Sequence, residues 1–240
     1  MPPHAPMKLT RHLRIVDLAL VYKDTLIIGD VQLGYEEALE YEGVLLPRFQ
    51  LKDILERLDT IFAQVKVKRV IINGDLKHEF GRITNQEWRD ALAFFDYLLA
   101  KMGKGGEIVV VKGNHDLVLG PVAEKRQIRL VDAYEMDDLT IIHGHKVVPS
   151  LRKIVIIGHE HPAISFRERR EEKFKCFLVG SWKGKTLIVQ PSFQFLTVGS
   201  DVTHDHHLSP FLKDGVKNFD VYLVEDGVKF FGKVKDITAL

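Results

Sequence analysis

Residues 70–75 read Val-Ile-Ile-Asn-Gly-Asp. Three β-branched residues in succession, with no polar position between them, predict a strand buried on both faces. The Asn-Gly step after them predicts a tight turn that presents Asp75 at the strand's end. Upstream, Leu51, Ile54, Leu55, Leu58, Ile61, Phe62 and Val65 recur at three- and four-residue steps, which predicts a packing helix over 50–65. Downstream, a second helical stretch covers 84–102, and a further strand at 108–111 runs into Gly113-Asn114-His115-Asp116. Strand, helix and strand in this order form a βαβ unit on a parallel-leaning sheet. Before the first helix, two short β-type runs at 18–22 and 25–29 flank Lys23-Asp24 and predict a hairpin whose second strand ends on Asp30. A shorter helix is expected from Pro121, a residue favoured in a first helical turn.

Beyond residue 130 strand follows strand, at 139–142, 154–157, 177–179, 187–189, 221–224 and 228–231, with Asp226-Gly227 as a hairpin turn between the last two. Two sheets with helices outside satisfy both halves, an α/β arrangement. With no internal repeat and no long Pro/Ser/Gly-rich linker, residues 1–240 are expected to form one domain.

The chain has 240 residues, of which 45% are hydrophobic and 28% charged, an ordinary globular balance that excludes disordered, collagenous and coiled-coil classes. Its 34 Lys and Arg against 33 Asp and Glu leave a net charge of +1, which gives no general electrostatic argument for a nucleic-acid or membrane partner. The single cysteine, Cys176, excludes an internal disulfide framework and multi-thiolate metal sites, and fits a reducing compartment. No apolar run is long enough to span a bilayer and the amino terminus lacks a signal core, so a cytoplasmic location is expected. The mixed-charge run at 167–175 is expected to be a solvated loop or edge strand. His204, His206 and His207, ahead of Ser209-Pro210, are expected in a surface loop.

Five apolar runs each end in a glycine beside residues able to bind a metal. They close on Gly29-Asp30, Gly74-Asp75, Gly113-Asn114-His115-Asp116, His143-Gly144-His145 and Gly158-His159-Glu160-His161. Any one of these alone is an ordinary turn. In open α/β sheets, however, ligands bind beyond the carboxyl ends of strands, so five such ends point to one place. Aspartate, asparagine and histidine without cysteine suit Mn²⁺, Fe²⁺, Zn²⁺ or Co²⁺ better than Ca²⁺, which prefers oxygen alone. There are more candidates than one tetrahedral ion needs, which points to two cations about 3.5–4 Å apart sharing a carboxylate. Such a pair polarises a phosphoryl group and lowers the pKa of a bridging water, so that hydroxide is available for in-line attack.

In order, spacing and residue type, these segments resemble the motifs of the calcineurin-like metallophosphoesterases over residues 30–161. Gly34-Tyr35-Glu36, 43–48 and 74–81 further resemble the small SbcD-related phosphoesterases and their DNA-ligase-associated relatives. The resemblance implies a four-layer α/β/β/α sandwich, with two mixed sheets face to face, helices outside, and the metal centre at one edge. It implies that Asp75 bridges two divalent ions, that Asp30 and His161 hold the first, and that Asn114, His143 and His159 hold the second. His115, next to Asn114 in the catalytic motif, is expected to stabilise developing charge and protonate the leaving oxygen without ligating metal. The chain departs from the family's Asp-x-His pattern at Asp30-Val31-Gln32. A neutral amide is a poorer transition-metal ligand than imidazole, so Gln32 is expected to leave the first site the weaker one. His78 and His145 are expected to be hydrogen-bonded structural histidines, with contact to metal or substrate as the alternative.

The function expected is hydrolysis of a phosphodiester, in a nucleotide or at a nucleic-acid end, by a two-metal enzyme with Mn²⁺ as the preferred ion. The rival is a non-catalytic scaffold of the same fold that binds a protein partner, which Gln32 favours and the retention of His115 opposes. A lone structural zinc in an unrelated fold ranks last, because it leaves most of the candidate ligands idle.

Overall fold

The computed structural model describes residues 6–166, 169–203 and 206–238. The strand at the centre of the sequence argument is the centre of the first sheet. Strands β1 (Met7–Lys8), β2 (Leu13–Val16), β3 (Ala19–Tyr22) and β4 (Thr25–Ile28) are antiparallel neighbours. From β4 the sheet continues in parallel through β5 (Arg69–Asn73), β6 (Glu107–Val111) and β7 (Arg129–Val131). Helices α1 (Tyr35–Tyr41) and α2 (Gln50–Phe62) connect β4 to β5, α3 (Asn85–Met102) connects β5 to β6, and α4 (Gly120–Glu124) leads to β7.

The two long helices form where the apolar spacing places them. In α2 the buried residues Ile54, Leu58 and Ile61 fall on one stripe. The start of α3 is set by a reciprocal cap: Glu87 N–H donates to the Thr84 hydroxyl at 3.1 Å, and Thr84 N–H donates to the Glu87 carboxylate at 2.7 Å. Tyr97 of α3 donates its hydroxyl hydrogen to Asp59 of α2 at 2.7 Å, which ties the two helices together.

The second sheet takes up the rest of the chain: β8 (Tyr134–Met136), β9 (Leu139–Ile141), β10 (Ile154–Ile157), β11 (Pro162–Phe166), β12 (Arg169–Trp182), β13 (Lys185–Val189), β14 (Ser200–Asp201), β15 (Asp220–Glu225) and β16 (Gly227–Lys233). Its order is β14-β11-β12-β13-β10-β9-β8, with β15 paired to β12 and β16. Strand β10 runs parallel to both β9 and β13.

Alternation along these strands builds two cores. Ile156, Phe177, Ile188 and Val224 face the first sheet and share its core with β4, β5 and β6. Val155, Ile157, Cys176, Leu178, Leu187 and Val189 face the other way, against Phe211, Leu212, Phe219 and the Val234 and Ile237 side chains of α5 (Val234–Thr238). The molecule is therefore an α/β sandwich of two mixed sheets. Its outer layer over the second sheet consists of turns in 206–219 and one short helix. Among the described residues no helix is long and apolar enough to cross a membrane.

The mixed-charge run at 167–175 is, over its described part, the edge strand allowed by its charge pattern, with Glu172 and Lys173 exposed. From Arg169 onward it is the first half of β12, which pairs with β11 through Ile164↔Phe174 and Ala163↔Lys175, whereas β15 and β13 pair with the second half, from Cys176 on. Strand pairing uses backbone groups, which charged side chains leave intact. Lys175 turns inward and donates its ammonium hydrogens to the Ser192 carbonyl at 2.9 Å and hydroxyl at 2.6 Å. Arg167, Glu168 and His204 lie outside the described residues.

Candidate metal centre

Because β4, β5 and β6 are parallel, as are β9 and β10, each set directs its carboxyl ends the same way. Face-to-face packing of the sheets then joins the two sets at one edge. Asp30 follows β4, Asp75 follows β5, Asn114 and His115 follow β6, His143 follows β9, and His159 and His161 follow β10. Asp30 N–H donates to the Gly74 carbonyl at 2.9 Å, and Gln32 N–H to the Asp75 carbonyl at 2.9 Å. The β4 and β5 loops thus run side by side. Several of these turns lie in the left-handed region: Asp30 (φ 53°), Gln32 (49°), Asp75 (46°), His159 (65°) and His161 (48°). Such strain on non-glycine residues persists only where the surroundings impose it, and it clusters at functional sites.

Two glycines are required by close approach. A Cβ on Gly113 would stand 2.0 Å from Asp75 Oδ1, and one on Gly158 would stand 2.3 Å from Asp30 Oδ2. The second contact is where the two sheets meet.

Asp75, His143 and His159 each offer a ligand atom, and these atoms all lie within 4.8 Å of one another. His143 Nε2 is 3.3 Å from Asp75 Oδ2 and 3.1 Å from Asn114 Oδ1. Its Nδ1 is 3.7 Å from Asp30 Oδ1. On the other side His161 Nε2 lies 3.0 Å from Asp30 Oδ1, is buried, and makes no hydrogen bond among the described residues. Asp30 also accepts the His159 N–H at 3.1 Å, so one fully buried carboxylate organises the loop after β10. His115 binds the His78 carbonyl through Nδ1, leaving Nε2 3.9 Å from Asp75 Oδ2. Its backbone N–H donates to Asp75 Oδ1 at 3.0 Å.

The electrostatics fit a cation. Burial works to raise the Asp75 pKa, but the hydrogen bond and charge of His143, followed by His115, overcome it and bring the carboxyl down to about 2. Burial, reinforced by the charge of His143, lowers His159 to about 4, so its imidazole is neutral and its lone pair free. Burial also acts to lower His143, yet Asp75 and Asp30 outweigh it and raise that group to about 9. A proton there neutralises the paired carboxylates, the task a metal ion performs when bound. Two carboxylates, an amide oxygen and three imidazoles form an oxygen-and-nitrogen set suited to a divalent transition metal.

Sequence reasoning overlooked some of the supports. Asp116 is buried and accepts N–H hydrogens from Gly113 at 2.9 Å and Leu76 at 3.0 Å, pinning the β5 and β6 loops together. Burial, and then the charge of Asp75, raises its pKa to about 6. Glu160 is a clamp: its carboxylate accepts the backbone N–H groups of Leu208 at 3.0 Å and Ser209 at 2.9 Å, and His207 Nδ1 lies 3.3 Å away. That tie draws part of the expected histidine-rich surface loop onto the centre, while His206 remains exposed. His78 stacks on Tyr35 with centroids 4.1 Å apart, and the His145 ring lies 5.3 Å from that of His143.

The family profile described as calcineurin-like phosphoesterase matches residues 24–174, which contain every one of these strand-end residues. The chain belongs to the calcineurin-like phosphoesterase family. No curated protein sequence matches this phosphoesterase significantly. Among solved structures, Pseudomonas putida nuclease MPE superposes with a TM-score of 0.66 at 20% identity, covering 95% of this chain and 99% of that one. The E. coli phosphoesterase Yfce, with a TM-score of 0.40 at 14% identity over 89% and 94% of the two chains, is too remote to bear on the fold. The α/β sandwich expected from the motifs is thus the fold observed, and the chain is a phosphoesterase of a family that uses divalent metals.

Proposed function

We propose that this phosphoesterase is a two-metal phosphodiesterase, acting on a nucleotide or a nucleic-acid end, with Mn²⁺ as its working ion. The observation that carries the reading is the position of Asp75, whose carboxylate lies within reach of His143 on one side and His115 on the other. In this reading Asp75 is shared by both cations. Asn114, His143 and His159 complete one site, and Asp30, His161 and the neutral Gln32 complete a weaker one. Cations held there supply Lewis acidity to a phosphoryl group and acidify water. The protein's own part is to place the phosphate and move a proton. With Nδ1 engaged by the His78 carbonyl, His115 keeps Nε2 for the substrate, where in its protonated form it stabilises developing charge and protonates the leaving oxygen.

The segments resembling SbcD-related enzymes, and the superposition on Pseudomonas putida nuclease MPE, support nucleic acid or nucleotides as the substrate class. The net charge of +1 favours a short substrate over long duplex DNA. The single buried cysteine supports a reducing, cytoplasmic setting.

The test is elemental analysis of the Mn²⁺-loaded chain, joined to a panel of cyclic nucleotides, single-stranded DNA, RNA and phosphomonoesters. Phosphodiester turnover is expected with two unequal metal affinities, and His115→Ala is expected to lower turnover by about 10²–10⁴ without changing metal content. Metallated protein that turns over no phosphodiester, or an unimpaired His115→Ala, would favour the scaffold reading.

A further inference from the structure

Several of the large apolar side chains left exposed on the described surface lie on two touching loops beside the centre. Tyr41 ends α1, Leu45 lies in the stretch that follows it, and Phe80 is in the loop between β5 and α3. The Arg82 guanidinium, 6.0 Å from the Tyr41 ring, and the Tyr35–His78 stack join these loops.

Phe80 differs from the others in what it touches. It is 58% exposed, belongs to neither hydrophobic core, and stands edge-to-face with His115, centroids 5.5 Å apart and planes at 89°. The backbone around it is fixed. His115 Nδ1 binds the His78 carbonyl, the Lys77 ammonium donates to the Glu79 carbonyl, and Glu79 N–H donates to the Glu87 carboxylate at 2.6 Å. The fold therefore holds a largely exposed aromatic ring outside both hydrophobic cores, against the group assigned to protonate the leaving oxygen. A ring pre-positioned in this way offers what every nucleobase can use, a flat π-surface. With a net charge of +1 the chain has no broad basic field to hold a polyanion, so a stacking contact has a role to fill.

We propose that Phe80 is the stacking platform for the nucleobase on the leaving-group side of the scissile phosphodiester, an inference that rests on the phosphodiesterase reading above. The substrate it selects is a single-stranded end or short nucleotide diester with an unpaired base at that position.

The experiment uses the full Mn²⁺-loaded chain and two short single-stranded oligodeoxynucleotides, alike except that one carries an abasic sugar on the leaving-group side. The wild type is expected to show a kcat/KM about tenfold higher on the base-bearing strand, within the range one base stacked on one aromatic ring provides. That ratio is expected to fall to near one in Phe80→Ala and Phe80→Leu, and to persist in Phe80→Trp. A wild-type ratio near one, or a full ratio retained in Phe80→Ala, overturns the proposal and leaves the ring to a protein partner. A second readout is independent of turnover: a strand with 2-aminopurine at the same position is quenched on binding the wild type and not on binding Phe80→Ala. Quenching without cleavage keeps the platform and removes the hydrolytic reading. Cleavage without base discrimination keeps the hydrolytic reading and removes the platform.

Discussion

One added methyl group tests the geometry of the centre most directly. In Gly113→Ala the new Cβ would lie 2.0 Å from Asp75 Oδ1, 2.4 Å from the Asp75 backbone nitrogen and 2.8 Å from its Cγ. Rotating the Asp75 side chain relieves only part of this, because the nitrogen belongs to the backbone. The β5 and β6 loops must separate by roughly 1 Å, whereas metal-ligand bonds tolerate about 0.2 Å. Overpacking of this kind costs about 1–3 kcal/mol. At about 2–4 °C per kcal/mol for a chain of this size, the melting temperature should fall by about 4–8 °C for a 2 kcal/mol loss. The larger effect is on metal. A displaced carboxylate is expected to weaken binding by at least about 100-fold, the upper end for losing a support to a ligand. Mn²⁺ at 100 times the wild-type Kd stabilises by about 2.7 kcal/mol, and a 100-fold weaker site keeps only about 0.4 kcal/mol of that. Calorimetric melting with and without Mn²⁺ measures both quantities. Gly120→Ala is the matched control, since a Cβ there meets nothing within 4 Å. If Gly113→Ala keeps the full Mn²⁺-induced shift, Asp75 does not hold metal in the geometry described.

Other outcomes follow from the ionisable groups. Since the His143 pKa is raised to about 9, chiefly by Asp75 once burial is overcome, a cation must displace its proton at neutral pH. Affinity for the ion held by His143 should therefore climb as pH rises from 7 towards 9, with about one proton released as that ion binds at pH 7, measurable by titration calorimetry in buffers of differing ionisation enthalpy. In the metal-free chain the sign reverses: the charged His143 stabilises the fold fully below its ordinary pKa of 6.5, and that contribution is lost as pH rises through about 9. Lys175 behaves oppositely. Burial, and then the Arg57 charge, lowers it from 10.5 to about 7, so its protonation favours the unfolded chain. Stability should decline as pH falls from 10.5 to 7, by up to about 5 kcal/mol, and Lys175→Met should flatten that slope in denaturant titrations; an unchanged slope would refute the assignment.

Much of the candidate site was legible because it lies at strand ends, and strand ends show in local sequence. The runs at 26–28, 70–72 and 154–157 are β-branched or leucine, each is followed within two residues by glycine or Asn-Gly, and the polar residue comes next. That pattern depends on residues within a few positions of one another, which is the range over which propensity and turn chemistry act. The helix over 84–102 was legible in its apolar spacing for the same reason, and the structure adds the local Thr84–Glu87 cap that starts it. Lys175 was misplaced because charge predicts solvent only where no neighbour supplies acceptors, and its acceptors are at Ser192, 17 residues away.

What the sequence by itself determined is the parts and their kind: a strand-helix alternation, a later run of strands, and an oxygen-and-imidazole set spread over residues 30–161. What only the tertiary structure decided is which members meet. Asp30 reaches His161 across 131 positions and Asp75 reaches His143 across 68, and neither pairing is encoded near either residue. Both arise because two sheets pack face to face with their strand ends at a common edge, a relation set by long-range hydrophobic burial. Gly113 and Gly158 are needed for the same reason, since the atoms that would collide with a side chain there are brought by a different strand.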